Sequence, residues 1–192
     1  MITDQQLWQK LKDGHEDALE QIYREHVDAL LRYGGQFCRD ASLIEDCLHD
    51  LFVDLWRNRE GLRDNDNIRP YLLVALRRKL IRQIGKLQKT QNERDTREVD
   101  FLAEPAIDES IIGREISEAN ARALKQAMAQ LSKRQREVLY LKYFEDMSYE
   151  DICEALGINY QSVRNLVSTG IKALRKYLTV LWLIFLNFFL AN

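Results

Sequence analysis

Ile44, Cys47, Leu48, Leu51, Phe52, Leu55 and Trp56 follow one another at steps of three and four residues for more than three turns, the spacing of one face of a helix. Glu45, Asp46, His49, Asp50, Asp54 and Arg57 then share the other face. A stripe of the same kind precedes it, Leu19, Ile22, Tyr23, Val27, Leu30 and Leu31. Another follows the break at 61–67, Leu72, Leu73, Leu76, Leu80, Ile84 and Leu87. Three such helices can close one core. With only two prolines and eight glycines in 192 residues, and long runs of residues that lose little freedom in a helix, the chain is expected to be all-α.

Residues 90–110 (TQNERDTREVDFLAEPAIDES) are polar and acidic, contain Pro105 and hold no period, as a linker would. Periodicity resumes near Ile112 and passes through Ile116, Ala119, Ala123, Ala127 and Leu131 to a helix carrying Val138, Leu139 and Leu141. The expected layout is a helical domain over 1–89, a linker over 90–111, a second helical domain over 112–177 and an apolar tail over 178–192.

A net charge of −2 conceals an uneven distribution. Seven basic and no acidic residues lie between Arg69 and Lys89, whereas nine acidic and three basic residues lie between Gln91 and Ala119. Such a chain can bind phosphates locally while staying near neutral. Cys38, Cys47 and Cys153 are odd in number and form no CxxC pair, so neither a disulfide framework nor a zinc knuckle is expected. The first residues lack a basic stretch followed by an apolar one, and a cytoplasmic location is the expectation.

Residues 148–174 carry the sharpest signal, SYEDICEALGINYQSVRNLVSTGIKAL. Ser148 is placed to cap a helix supported by Asp151, with Ile152, Ala155 and Leu156 inward; Gly157 ends it, and Asn159 caps the next helix, which buries Val163, Leu166 and Val167. This is the layout of a helix-turn-helix, which presents the first turns of its second helix to the major groove. Tyr160, Gln161, Ser162, Arg164, Asn165 and Ser168 are the candidate readers. Gln and Asn suit adenine edges, while Arg suits guanine or a phosphate.

The run over 131–178 resembles region 4 of sigma-70-type factors, especially the extracytoplasmic-function group. Residues 44–60 (IEDCLHDLFVDLWRNRE) resemble region 2 of the same group, and 68–86 look like its continuation. The two resemblances stand in family order and together span about residues 18–178. They imply a two-domain sigma factor that docks on core RNA polymerase and directs it to promoter DNA. They also imply an anti-sigma factor as regulator, no enzymatic activity, no cofactor and no metal.

Carried over residue by residue, the resemblance places core-polymerase binding at Asp46, His49, Asp50, Phe52 and Trp56, with Asp54 completing an acidic face suited to a basic partner. For Trp56 taken alone, a core position is the favoured reading. The −10 element falls to Tyr71, Arg77, Arg78, Lys79, Arg82 and Lys86, cations for the backbone with an aromatic ring for an unstacked base. The −35 element falls to the readers already named. Three positions depart from the family pattern: His49 stands where Gln is frequent, Arg78 where Asn is common, and Thr169–Gly170 where an Arg-Ala pair is typical. A Gly inside the helix costs about 1 kcal/mol relative to Ala.

Residues 178–190 (LTVLWLIFLNFFL) have no counterpart in that pattern and follow directly on Lys172, Arg175 and Lys176. Thirteen helical residues reach about 20 Å, short of a bilayer's hydrocarbon core of roughly 30 Å, so any membrane contact would be peripheral or through a partner. The protein's own domains, a partner or a membrane surface could cover the segment; self-docking would make it autoinhibitory. A helix-turn-helix regulator acting as a dimer is the main rival, and a membrane-tethered interaction protein another. No Ser/His/Asp set, glycine-rich phosphate loop or HExxH motif favours an enzyme.

Overall fold

The computed structural model describes the backbone of residues 2–91, 101 and 126–190 and the side chains of 2–87, 101 and 126–177. Among these residues there is helix and no strand. The chain divides into two units, Met1–Asp100 and Phe101–Asn192.

In the first unit, α1 (Asp4–Lys12), α2 (Glu16–Gly34), α3 (Ala41–Arg57) and α4 (Ile68–Gln91) pack as a bundle, with α2, α3 and α4 in mutual contact and α1 laid on α2. Ile22, Leu30, Leu48, Leu51, Leu72, Leu76 and Leu80 form its centre, each at most 3% exposed. Two residues expected inside are not: Tyr23 is 45% and Leu87 49% exposed. On α2 the buried line runs instead through Ala18, Ile22, Ala29, Leu30 and Tyr33, and Leu87 lies near the end of α4, well beyond Leu80, the last fully buried leucine of that helix.

α1 is an addition to the three expected helices. Thr3 and Gln6 cap its start reciprocally, and Leu7, Trp8 and Leu11 are its buried face. It also organises the connection into α4. Trp8 Nε1 donates to the Arg63 carbonyl (2.9 Å), Lys12 pairs with Asp64, and the Ile68 amide donates to Asp4 Oδ2 (3.0 Å). The start of α4 is therefore capped by a carboxylate from the other end of the unit, where a negative charge also suits the helix dipole. Gly34 closes the α2–α3 crossing: a Cβ there would lie 2.5 Å from Ile44 Cγ2.

In the second unit a helical turn at 126–129 precedes α5 (Lys133–Tyr143), α6 (Tyr149–Leu156) and α7 (Tyr160–Leu190). Both α5 and α6 pack on α7 and on each other. Ala127 and Leu131 are buried as expected; the stretch from Ile112 to Ala123 lies outside the described residues. Phe101 is buried in this unit at 3% exposure, beside Tyr140, and its carbonyl accepts from Arg136 Nη2 at 3.1 Å. The segment expected to be all linker thus contributes one core side chain. Gly170 has a packing reason: a Cβ there would come within 3.0 Å of Leu139 Cδ1, so the missing side chain lets α7 pass close to α5.

Candidate functional site

The helix-turn-helix forms as the caps require. Ser148 Oγ accepts from the Asp151 amide (3.0 Å) while the Asp151 carboxylate accepts from the Ser148 amide (3.2 Å). Gly157 takes the left-handed conformation, φ +64°, that a side chain rarely adopts. Asn159 Oδ1 then accepts from the Ser162 amide at 2.8 Å and starts α7. Ile152, Ala155, Leu156, Val163 and Val167 fill the angle between α6 and α7.

On the outer side of α7, Tyr160, Gln161, Arg164, Asn165 and Ser168 are exposed and Ser162 is half-buried. They occupy the first three turns, where a major-groove helix carries its reading residues. Gln161 Nε2 donates to Asn165 Oδ1 (3.1 Å), which orders two amides side by side. Thr169 accepts from Gln135 Nε2 (3.0 Å) and donates to the Asn165 carbonyl (2.7 Å), fastening this helix to α5. Lys172, Arg175 and Lys176 continue the exposed side as cations.

In the first unit, Asp46, His49, Asp50 and Asp54 are exposed along α3. Phe52 is buried, its ring edge-on to Tyr23 at 5.0 Å, and Trp56 is half-buried beneath the Arg59 guanidinium at 4.5 Å. Four of the six residues assigned to partner docking thus form the surface, and two lie partly or wholly below it. Among the described residues no group of His, Cys, Asp and Glu is placed to hold a metal ion.

Arg78, Arg82 and Lys86 are exposed on α4, with Arg77 and Lys79 half-buried. Between α3, the segment after it and α4 lies an open cleft of about 270 Å³, lined by Asp54, Asn58, Tyr71, Arg78, Lys79 and Arg82 among others. Tyr71 packs edge-on against Trp8 at 5.0 Å. Burial pushes the Tyr71 hydroxyl pKa up, against the opposing pull of Arg78, so the phenol stays neutral. Cations, a neutral aromatic ring and small polar groups around a cleft of this size suit an unstacked base with its phosphates.

Lys79 Nζ donates to Asp54 Oδ2 at 2.5 Å. One residue from the acidic face and one from the basic helix are brought into contact, a link across 25 positions that neither pattern contains. The sequence reading also missed Asn58 and Leu62 in the cleft wall; the break at 61–67 was the only mark near them.

Two family models match the chain, Sigma-70 region 2 over residues 22–90 and Sigma-70, region 4 over residues 121–174. The RNA polymerase sigma factor YlaC of Bacillus subtilis is 25% identical over 170 residues, 86% of this chain and 94% of the relative. CarQ of Myxococcus xanthus, also an RNA polymerase sigma factor, is 25% identical over 173 residues, 88% and 94% of the two chains. Among solved structures, CnrH in complex with the cytosolic domain of CnrY superposes with a TM-score of 0.60 at 19% identity, over 92% of this chain and 97% of the other. The sigma factor RpoE of Bartonella quintana, solved with the anti-sigma factor NepR, gives 0.58 at 20% identity over 84% and 96%.

Proposed function

The chain belongs to the sigma-70 family of RNA polymerase sigma factors, in its extracytoplasmic-function group, and from that premise we propose how its two units divide the work of promoter-directed initiation. The first unit docks core polymerase through Asp46, His49, Asp50 and Asp54 on α3. Charge guides the encounter, and Trp56 supplies apolar area at the edge. The cleft beside it takes the melted −10 strand, with Tyr71 for a base and Arg77, Arg78, Lys79, Arg82 and Lys86 along the phosphates. The second unit reads the −35 duplex with Gln161, Arg164, Asn165 and their neighbours.

The observation that carries this reading is the pairing, within one chain, of a fully capped helix-turn-helix with a cationic cleft flanked by an acidic helix. A dimeric helix-turn-helix regulator has no use for the second of these. The protein acts as an initiation factor without chemistry of its own and works in the cytoplasm. Its regulator is an anti-sigma factor; the RpoE that shares this fold was solved in complex with one, NepR. The apolar segment after Tyr177 continues α7 and adds a second point of control, its side chains lying outside the described residues.

Run-off transcription with purified core polymerase tests the whole reading. A specific transcript that appears only when this protein is added is the expected result; no added initiation on any template of a genomic promoter library would overturn it.

A further inference from the structure

Asp46, Asp50 and Asp54 stand at successive four-residue steps, and each step turns about 40° further around a helix of 3.6 residues per turn. The acidic line therefore winds around α3, and its last member reaches the seam with α4, where it meets Lys79. The pair is asymmetric. Asp54 keeps 55% of its side chain exposed, while Lys79 keeps 26% and lies in the cleft wall with Arg78 and Arg82. In this state the carboxylate neutralises one of the cleft's cations.

We propose that the Asp54–Lys79 ion pair is a latch between the polymerase-docking face and the DNA cleft. A basic partner surface that docks on the acidic line competes for the exposed carboxylate and releases Lys79 to a phosphate. An ion pair this open to water is weakly held, so a cation delivered by a large interface can displace it. Asp54 acts through Lys79 as a positioning residue. Because coupling between two sites is reciprocal, DNA that engages Lys79 also frees Asp54 for the partner. The inference rests on the proposed division of work between α3 and α4 and adds to it the residue pair through which one face acts on the other.

The test uses the full chain, a single-stranded oligonucleotide carrying a −10-like sequence, and four proteins: wild type, Asp54→Asn, Lys79→Met and the double variant. One extra phosphate contact at 0.1 M salt is worth about fivefold in affinity for a single strand. Asp54→Asn should therefore bind about fivefold tighter than wild type, with the slope of log affinity against log salt steeper by about 0.7. In the Lys79→Met background the same exchange should change neither quantity. Equal affinity of wild type and Asp54→Asn would overturn the latch, and so would a gain that persists without Lys79, since that would be a general charge effect. Thermal melts of all four proteins identify any loss of fold; if Lys79→Met unfolds, Lys79→Gln takes its place. If none of the proteins binds the oligonucleotide while core polymerase still binds them, the placement of DNA in this cleft fails and the latch with it; a flat result for Asp54→Asn alone removes only the latch.

Discussion

Gln161 and Asn165 hold each other across one turn of α7, amide nitrogen to amide oxygen at 3.1 Å, on the side that faces away from the core. Two amides ordered in this way are prepared to meet adjacent base edges without first losing side-chain freedom. Arg164→Ala and Asn165→Ala should each weaken binding to a duplex −35 element by about 1 to 3 kcal/mol. The Gln161→Ala and Asn165→Ala effects should be non-additive by about 0.5 kcal/mol or more, since each removes part of the other's support. Fluorescence titrations of the holoenzyme on wild-type and scrambled elements measure this, and additive effects would show that the pair does not act as a unit.

Reversing Asp46 and Asp50 to lysine should abolish core-polymerase binding and leave the helical content unchanged. Both side chains are exposed, and neither forms part of the bundle's buried centre. Like charges set against a basic surface cost several kcal/mol across an interface. Co-purification of the double variant with core enzyme at wild-type yield would move the docking face elsewhere.

Gly34→Ala should destabilise the first unit by about 1 to 3 kcal/mol, the range for overfilling a packed site. The new methyl would sit 2.5 Å from Ile44 Cγ2, on a buried β-branched residue with little room to turn. Ile44→Ala removes the obstructing carbon, so the double variant should lose less than the sum of the single losses. Urea unfolding of the three variants decides it.

His26 sets a pH dependence. Burial lowers its pKa below the ordinary 6.5, helped by Arg69 and opposed by Asp4 and Glu25, and its Nε2 finds no hydrogen-bond partner among the described residues. The unfolded chain therefore takes up a proton at a higher pH than the folded one. Stability should be full above about 6.5 and fall as pH drops from there toward the lowered folded value. His26→Gln should flatten this part of the profile in chemical denaturation at pH 7.5, 6.5 and 5.5, whereas an unchanged slope would assign it to other groups.

The helix-turn-helix was readable almost residue by residue because its information is local: Ser148, Asp151, Gly157 and Asn159 each specify a cap within three or four positions. The stripes of α3 and α4 were legible for the same reason as far as Leu80. α1 left a trace in Thr3 and Gln6, a capping pair, yet nine residues give too few turns for a period to stand out. What could not be read were contacts set by packing. Gly170 looked like a weakness in α7 until Leu139 was found against it, Phe52 looked available to a partner until Tyr23 covered its edge, and Phe101 sat in an acidic stretch whose composition argued for solvent. Asp54 and Lys79 each belonged to a correct pattern, and only the α3–α4 packing made them neighbours.

Because α7 runs without interruption from Tyr160 to Leu190, its 31 residues form a rod about 46 Å long. Gly170, pressed close to α5, divides it into arms of roughly 15 and 30 Å, the shorter bearing the reading residues and the longer ending in the apolar segment. Whatever grips the last turns of this helix is therefore joined to the candidate reading residues by one continuous run of helix.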